Sequence, residues 1–196
     1  MSNFSGSRLR EAVWALRRGG VVAYPTEGCY GLGCDPRNVR AVQKILRLKK
    51  RSRRQGLILI GAHWRHIERW VDASDESAVA RARATWPGPN TWLLPAAPRV
   101  SSWLRGEHDT IAVRITGHPL AGALCRRFNS AIVSTSANLH GRRPAASAAQ
   151  VRDLFDGTVD AVVDGRLGGL NGPTEIRDAR SGKILRPAAA HSDLEH

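Results

Sequence analysis

Leu57-Ile58-Leu59-Ile60 places four large aliphatic side chains in succession. Side chains alternate sides along a strand, so this run is apolar on both faces and needs cover on both. It predicts a central strand with layers packed above and below it. Val21–Tyr24, Thr91–Leu94, Ile111–Ile115, Ala131–Thr135 and Ala161–Val163 read as further strands. Thr174–Arg177 and Lys183–Arg186 read as a hairpin around Asp178-Ala179-Arg180-Ser181-Gly182.

Helical patterns separate these runs. Leu9, Ala12, Val13 and Leu16 follow the spacing of one helix face, and Gly19-Gly20 stops it. Asp35 as N-cap with Pro36 at the first helical position predicts a helix through Val39, Val42, Ile45 and Leu46, to about Leu48. Ala78, Val79 and Ala82 mark another helix. His118-Pro119 opens one with Leu120, Ala123 and Leu124, and Ser147 caps one holding Val151, Leu154 and Phe155. Strands alternating with helices predict an α/β fold with an open, twisted, mixed sheet and flanking helices.

A chain of 196 residues fits one domain, taken here as residues 1–187. Residues 188–196 end in Leu-Glu-His, like a purification-tag scar, and read as a disordered tail. No apolar run reaches the roughly 20 residues that cross a bilayer, and the N-terminus has no signal-peptide core. The chain reads as cytoplasmic, with no membrane partner. Cys29, Cys34 and Cys125 make no disulfide framework and no zinc set; buried reduced thiols are the expectation.

Lys and Arg number 30 against 17 Asp and Glu, a net charge of +13. That balance favours polyanionic partners, although an arginine-rich genome produces the same composition. Nine of the cations lie between Arg37 and Arg54 with no acid among them. A charge run is ordinarily a solvated helix face. Here Lys49 and Arg51 stand between a helix end and the central strand, where two cations can neutralise a polyphosphate.

Residues 23–36, Ala-Tyr-Pro-Thr-Glu-Gly-Cys-Tyr-Gly-Leu-Gly-Cys-Asp-Pro, match neither the Walker nor the Rossmann glycine pattern. Their glycines suit a sharp turn at a strand end, with Thr26 and Tyr30 facing a crevice. Ser134, Thr135, Ser136 and Asn138 follow another strand; turn chemistry and ligand binding explain them equally well. His63 and His66 read as an exposed helix turn, and the tryptophans as core and loop anchors rather than a stacking platform.

In chain order, YPTEGCYGLGCDP, LKKR before GLILI, WPGPNTW, IAVRITGHPL, STSANLHG, GPTEIRD and ILRP resemble the YrdC family, in its short single-domain bacterial form, over about residues 8–187. The resemblance implies a YrdC-like fold with a basic concave face and threonylcarbamoyl-AMP synthase activity. Such enzymes use L-threonine, bicarbonate or CO2, and ATP accompanied by Mg2+, and release pyrophosphate. Downstream threonylcarbamoyl-transferase proteins pass the product to tRNA. Affinity for tRNA and double-stranded RNA is attributed to the basic face, so an RNA-binding module without catalysis is the alternative.

Residue by residue, Thr26, Arg114 and Thr174 match threonine-site positions. Lys49, Arg51, Ser136 and Asn138 match the catalytic K-x-R and S-x-N signatures, which also bind the nucleotide together with Ser134 and Arg186. No metal ligand set is implied. Ile60 stands where many relatives have a histidine, Glu175 replaces a small residue, and Gly28-Cys29 replaces a more usual Thr-Val.

Overall fold

The computed structural model describes residues 3–139, 141–170 and 172–188. The predicted tail lies outside the described residues apart from Ala188. Nine strands form one open mixed sheet: β1 (Val22–Pro25), β2 (Tyr30–Gly33), β3 (Ile58–Gly61), β4 (Thr91–Pro95), β5 (Thr110–Ile115), β6 (Ile132–Ser136), β7 (Ala161–Val162), β8 (Ile176–Asp178) and β9 (Ile184–Arg186). Their order is β7-β1-β2-β6-β3-β5-β4-β8-β9. The aliphatic run is central: β3 pairs parallel with β5 and antiparallel with β6.

The helices are α1 (Asn3–Arg17), α2 (Val39–Leu48), α3 (Trp64–Ile67), α4 (Glu76–Arg83), α5 (Ser102–Arg105), α6 (Pro119–Phe128) and α7 (Ala148–Phe155). They cover the two faces of the sheet unequally. Leu57 and Leu59 pack into a large apolar cluster with Val113, Val133, Trp92 and residues of α2, α4, α5 and α7. Ile60 and Ile132 point the other way, into a smaller cluster with Leu9, Leu16, Leu124 and Phe128 of α1 and α6. Beyond those two helices the second face is open.

Three local predictions change. The 23–36 stretch is a hairpin rather than a glycine loop: β1 and β2 pair antiparallel around a turn at residues 26–29. Glycine permits β2, because a Cβ at Gly33 would press on the Val133 carbonyl and the Tyr24 ring. Helix α2 is capped by Asn38, whose side chain accepts from the Ala41 N–H, while Asp35 instead closes a turn by accepting from the Arg37 N–H. His66 is buried, not exposed; its Nδ1 accepts from the Ala62 N–H, and its ring lies 3.8 Å from that of His63. Burial, with the neighbouring His63 and arginine charges, pushes His66 down to about 4.

The end of α2 sets up the site. Lys49 is the C-cap and Lys50 takes a left-handed φ of 47°. Lys50 N–H bonds the Arg47 carbonyl and Arg51 N–H the Leu46 carbonyl, the paired closure of a Schellman turn. The reversal lets Lys49 and Arg51 leave the helix in different directions.

Candidate active site

The open part of the second face is a cavity of about 360 Å³. Its floor is sheet: Gly31, Ile58, Leu93, Ala112 and Ser134. Arg51, Arg114 and Arg186 reach its wall from three distant segments, and Thr26, Ser134, Ser136 and Thr174 add hydroxyls. Among the described lining residues there is no Asp or Glu. Such a wall receives anions and donates hydrogen bonds.

Arg114, on β5, is 4% exposed. Its Nη1 donates to Thr91 Oγ1 at 3.1 Å and Thr174 Oγ1 at 2.6 Å, and Nη2 lies 3.4 Å from Glu27 Oε2. Arg51 donates from Nη2 to the Gly56 carbonyl at 3.1 Å, and burial pushes its guanidinium down. The Nε atoms of Arg51 and Arg114 are both buried without a protein partner. Buried donors are almost always satisfied, and these two belong to residues that line the cavity. Arg186 stands at the rim and donates to the Thr174 carbonyl at 2.7 Å. Burial and then the Arg114 and Arg51 charges push it down.

Lys49 and Asn138 sit behind this wall. The Lys49 ammonium donates to the Ser136 carbonyl at 2.7 Å, the Asn138 carbonyl at 2.9 Å, Ser136 Oγ at 3.4 Å, and the Asn138 amide oxygen. Ser136 Oγ donates to that same amide oxygen at 2.7 Å. Lys49 therefore fastens the Ser136-Ala137-Asn138 turn, and Ser136 alone of the three turn residues lines the cavity. Burial and the Arg51 charge pull the Lys49 ammonium down to about 8.

Tyr30 does not face the crevice. It is fully buried, and its hydroxyl donates to the Gly165 carbonyl at 2.8 Å, tethering the glycine-rich loop. The 26–29 turn carries the next part of that loop: Gly168 and Leu170 N–H groups bond the Thr26 and Glu27 carbonyls. Gly28 lies directly against the Gly172 carbonyl, where a Cβ would collide, so only glycine fits. Cys29 lines the cavity, and Cys34 and Cys125 are buried; all three are free thiols. Ile60 is fully buried in the α1–α6 cluster, away from the cavity.

Two features escaped the sequence. Glu27 is a buried acid paired with Arg114, linked by no spacing signal. Trp14 is 60% exposed with Arg18 stacked 4.4 Å from its ring, so this tryptophan is no core anchor. Among the described residues no group of three His, Cys, Asp or Glu could hold a metal, and no helix is long and apolar enough to cross a membrane.

A family model for Sua5, YciO and YrdC proteins, described as "Telomere recombination", matches residues 14–188. A threonylcarbamoyl-AMP synthase of Halorhodospira halophila is 55% identical over 179 residues, covering 91% of this chain and 94% of that protein. Another, from Methylococcus capsulatus, is 53% identical over 186 residues, covering 95% and 100%. The crystal structure of P. abyssi Sua5 complexed with L-threonine superposes with a TM-score of 0.85 at 32% identity over 92% of this chain. The chain spans 54% of that longer protein. Motif order, sheet and near full-length identity all agree, and the chain belongs to the Sua5/YciO/YrdC family.

Proposed function

We propose that this chain is an L-threonylcarbamoyladenylate synthase, forming threonylcarbamoyl-AMP and pyrophosphate from L-threonine, bicarbonate or CO2, and ATP. One observation carries the reading: four arginines and six hydroxyl side chains from separate segments share one wall with no acid among its described lining residues. The name of the relatives at 53–55% identity and the threonine held by P. abyssi Sua5 support it.

Threonine nitrogen bonds to the carbon of CO2 and loses a proton, giving a carbamate. A carbamate oxygen then attacks the α-phosphorus of ATP, the bond to the β-phosphate bridging oxygen breaks, and pyrophosphate leaves. The chain supplies alignment and charge neutralisation rather than a dedicated base. Arg114, with Thr174 and Thr26, holds the amino acid. Arg51 and Arg186 face the phosphates, and Ser134 and Ser136 orient oxygens at the junction. Lys49 and Asn138 keep Ser136 in place. Mg2+ enters as the partner of ATP, in keeping with the absence of acids among the described lining residues.

The surplus positive charge suits tRNA or double-stranded RNA on the same face, with downstream threonylcarbamoyl-transferase proteins accepting the labile product. The test is mass spectrometry of the nucleotides after incubation with ATP, threonine and bicarbonate. Threonylcarbamoyl-AMP that disappears when threonine is omitted is the expected result; salt-sensitive RNA binding without threonine-dependent ATP consumption would replace the reading by an RNA-binding module.

A further inference from the structure

Glu27 has no part in the reaction written above, yet it is only 6% exposed. A buried carboxylate is costly unless it is paired and hydrogen-bonded. Its Oε1 accepts from Thr116 Oγ1 at 2.6 Å and from the Gly117 N–H at 3.1 Å, which fixes the carboxylate plane. Its Oε2 has no hydrogen-bond donor and faces Arg114 Nη2 at 3.4 Å, an ion-pair distance. Burial alone would raise this carboxyl, but the Arg114 charge and the Thr116 hydroxyl outweigh it and keep Glu27 ionised.

The guanidinium of Arg114 is thus held on two sides, and its third donor edge has no protein partner. Thr91 and Thr174 take Nη1, Glu27 faces Nη2, and Nε remains buried and unpartnered. We infer that Glu27 is the positioning residue that sets Arg114 to grip the carboxylate of the amino-acid substrate; this rests on the reading of the cavity proposed above. The Glu27 charge offsets that of Arg114 in a buried position before the ligand arrives. Its anchored oxygen also prevents the fork from rotating out of the wall. The same turn presents Thr26 to the cavity, whereas Arg51 and Ser136 at the nucleotide end make no contact with Glu27. The effect of Glu27 is therefore selective for one substrate.

Glu27→Gln tests this with little change in size. Its amide oxygen can still accept from Thr116 and Gly117, which turns its NH2 toward the NH2 of Arg114. The expected result is a KM for L-threonine raised about 10- to 100-fold, with the KM for ATP changed by less than about twofold. Thr116→Val removes one of the two donors to Oε1 without removing the charge and should give a smaller change of the same kind; it decides the matter if the glutamine protein does not fold. An unchanged threonine KM in a folded variant, or equal rises in both KM values, overturns the inference, because a purely structural acid would lower Tm without separating the two substrates. A wild-type protein whose pyrophosphate release ignores threonine overturns the functional reading itself, and that is seen before any substitution is made.

Discussion

Replacing Lys49 with Met separates two ways a buried cation can serve a nucleotide site. Lys49 is 6% exposed, and holding its charge there lowers its pKa from 10.5 to about 8, a penalty of roughly 3 kcal/mol. Against this stand bonds to the Ser136 and Asn138 carbonyls and the Asn138 amide oxygen. Hydrogen bonds to a charged group contribute about 1.5–3 kcal/mol each, so three outweigh the penalty by about 1.5–6 kcal/mol. Methionine fills most of the space but leaves the turn oxygens facing an apolar chain. Lys49→Met should therefore lose about 2 kcal/mol of stability, near the lower end because water reaches the half-exposed turn, and Tm should fall by about 4–8 °C. Ser136 should shift with the turn, and a shift of about 1 Å costs about 100-fold in turnover. Differential scanning calorimetry and steady-state pyrophosphate release measure both. If Tm stays within a degree of wild type while only the ATP KM rises, Lys49 contacts phosphate directly and the fastening argument is refuted. The pH dependence adds a sign. Between pH 8 and 10.5 the unfolded chain keeps a proton that the folded Lys49 has lost, so this group makes the fold more stable as pH rises. Activity should move oppositely and fall above about pH 8, as the neutral amine loses a donor to the turn.

Arg51→Ala should reduce turnover by about 10²–10³, roughly 3–4 kcal/mol of transition-state stabilisation, in a coupled pyrophosphate assay; an unchanged rate would remove Arg51 from the phosphate site. Lys50→Gly should raise stability by about 0.5–1 kcal/mol in urea denaturation, since Lys50 holds a φ of 47° on an exposed Schellman turn; a loss of stability would show that its side chain matters more than its backbone. His66, near 4 when folded and 6.5 when unfolded, contributes stability in full above about pH 6.5 and loses it as pH falls toward 4, up to about 3 kcal/mol. An NMR titration that finds the His66 ring near 6.5 would disprove the burial argument.

The legible parts of this fold are those where one physical cause dominates. Aliphatic runs gave β3, β5 and β6 because most of their large aliphatic side chains are buried against one or other face of the sheet, and the faces of α1, α6 and α7 followed from helical spacing. Strand β2 was illegible because Tyr-Gly-Leu-Gly has weak strand propensity; it forms because glycine allows the Val133 backbone and Tyr24 ring to approach closely. Asp35 and Asn38 are equal cap candidates by residue type, and Pro36 favoured the wrong one. In the site, Lys49 and Arg51 stood out as cations at a strand entrance. Glu27 did not, because its meaning depends on Thr116, 89 positions away, and on a guanidinium from β5. Sequence records that an acid is present, but only the fold shows that water is excluded around it.

That exclusion explains how the charge of the wall is graded. At the amino-acid end, Glu27 offsets Arg114 before any substrate binds. At the end proposed for the phosphates, no acid stands beside Arg51 or Arg186 among the described lining residues. Burial and mutual repulsion push Arg186 down, and burial does the same to Arg51. An amino-acid carboxylate brings one negative charge and a triphosphate brings several. A wall with a neutralised cation at one end and unneutralised cations at the other matches that difference. If the whole wall were fully cationic, a second triphosphate could compete for the amino-acid end. If acids offset every arginine, the carboxylate would still bind but the polyphosphate would not be held. On the proposed reading, Glu27 would do two things with one carboxylate: orient Arg114 and leave that end of the cavity to the weaker anion.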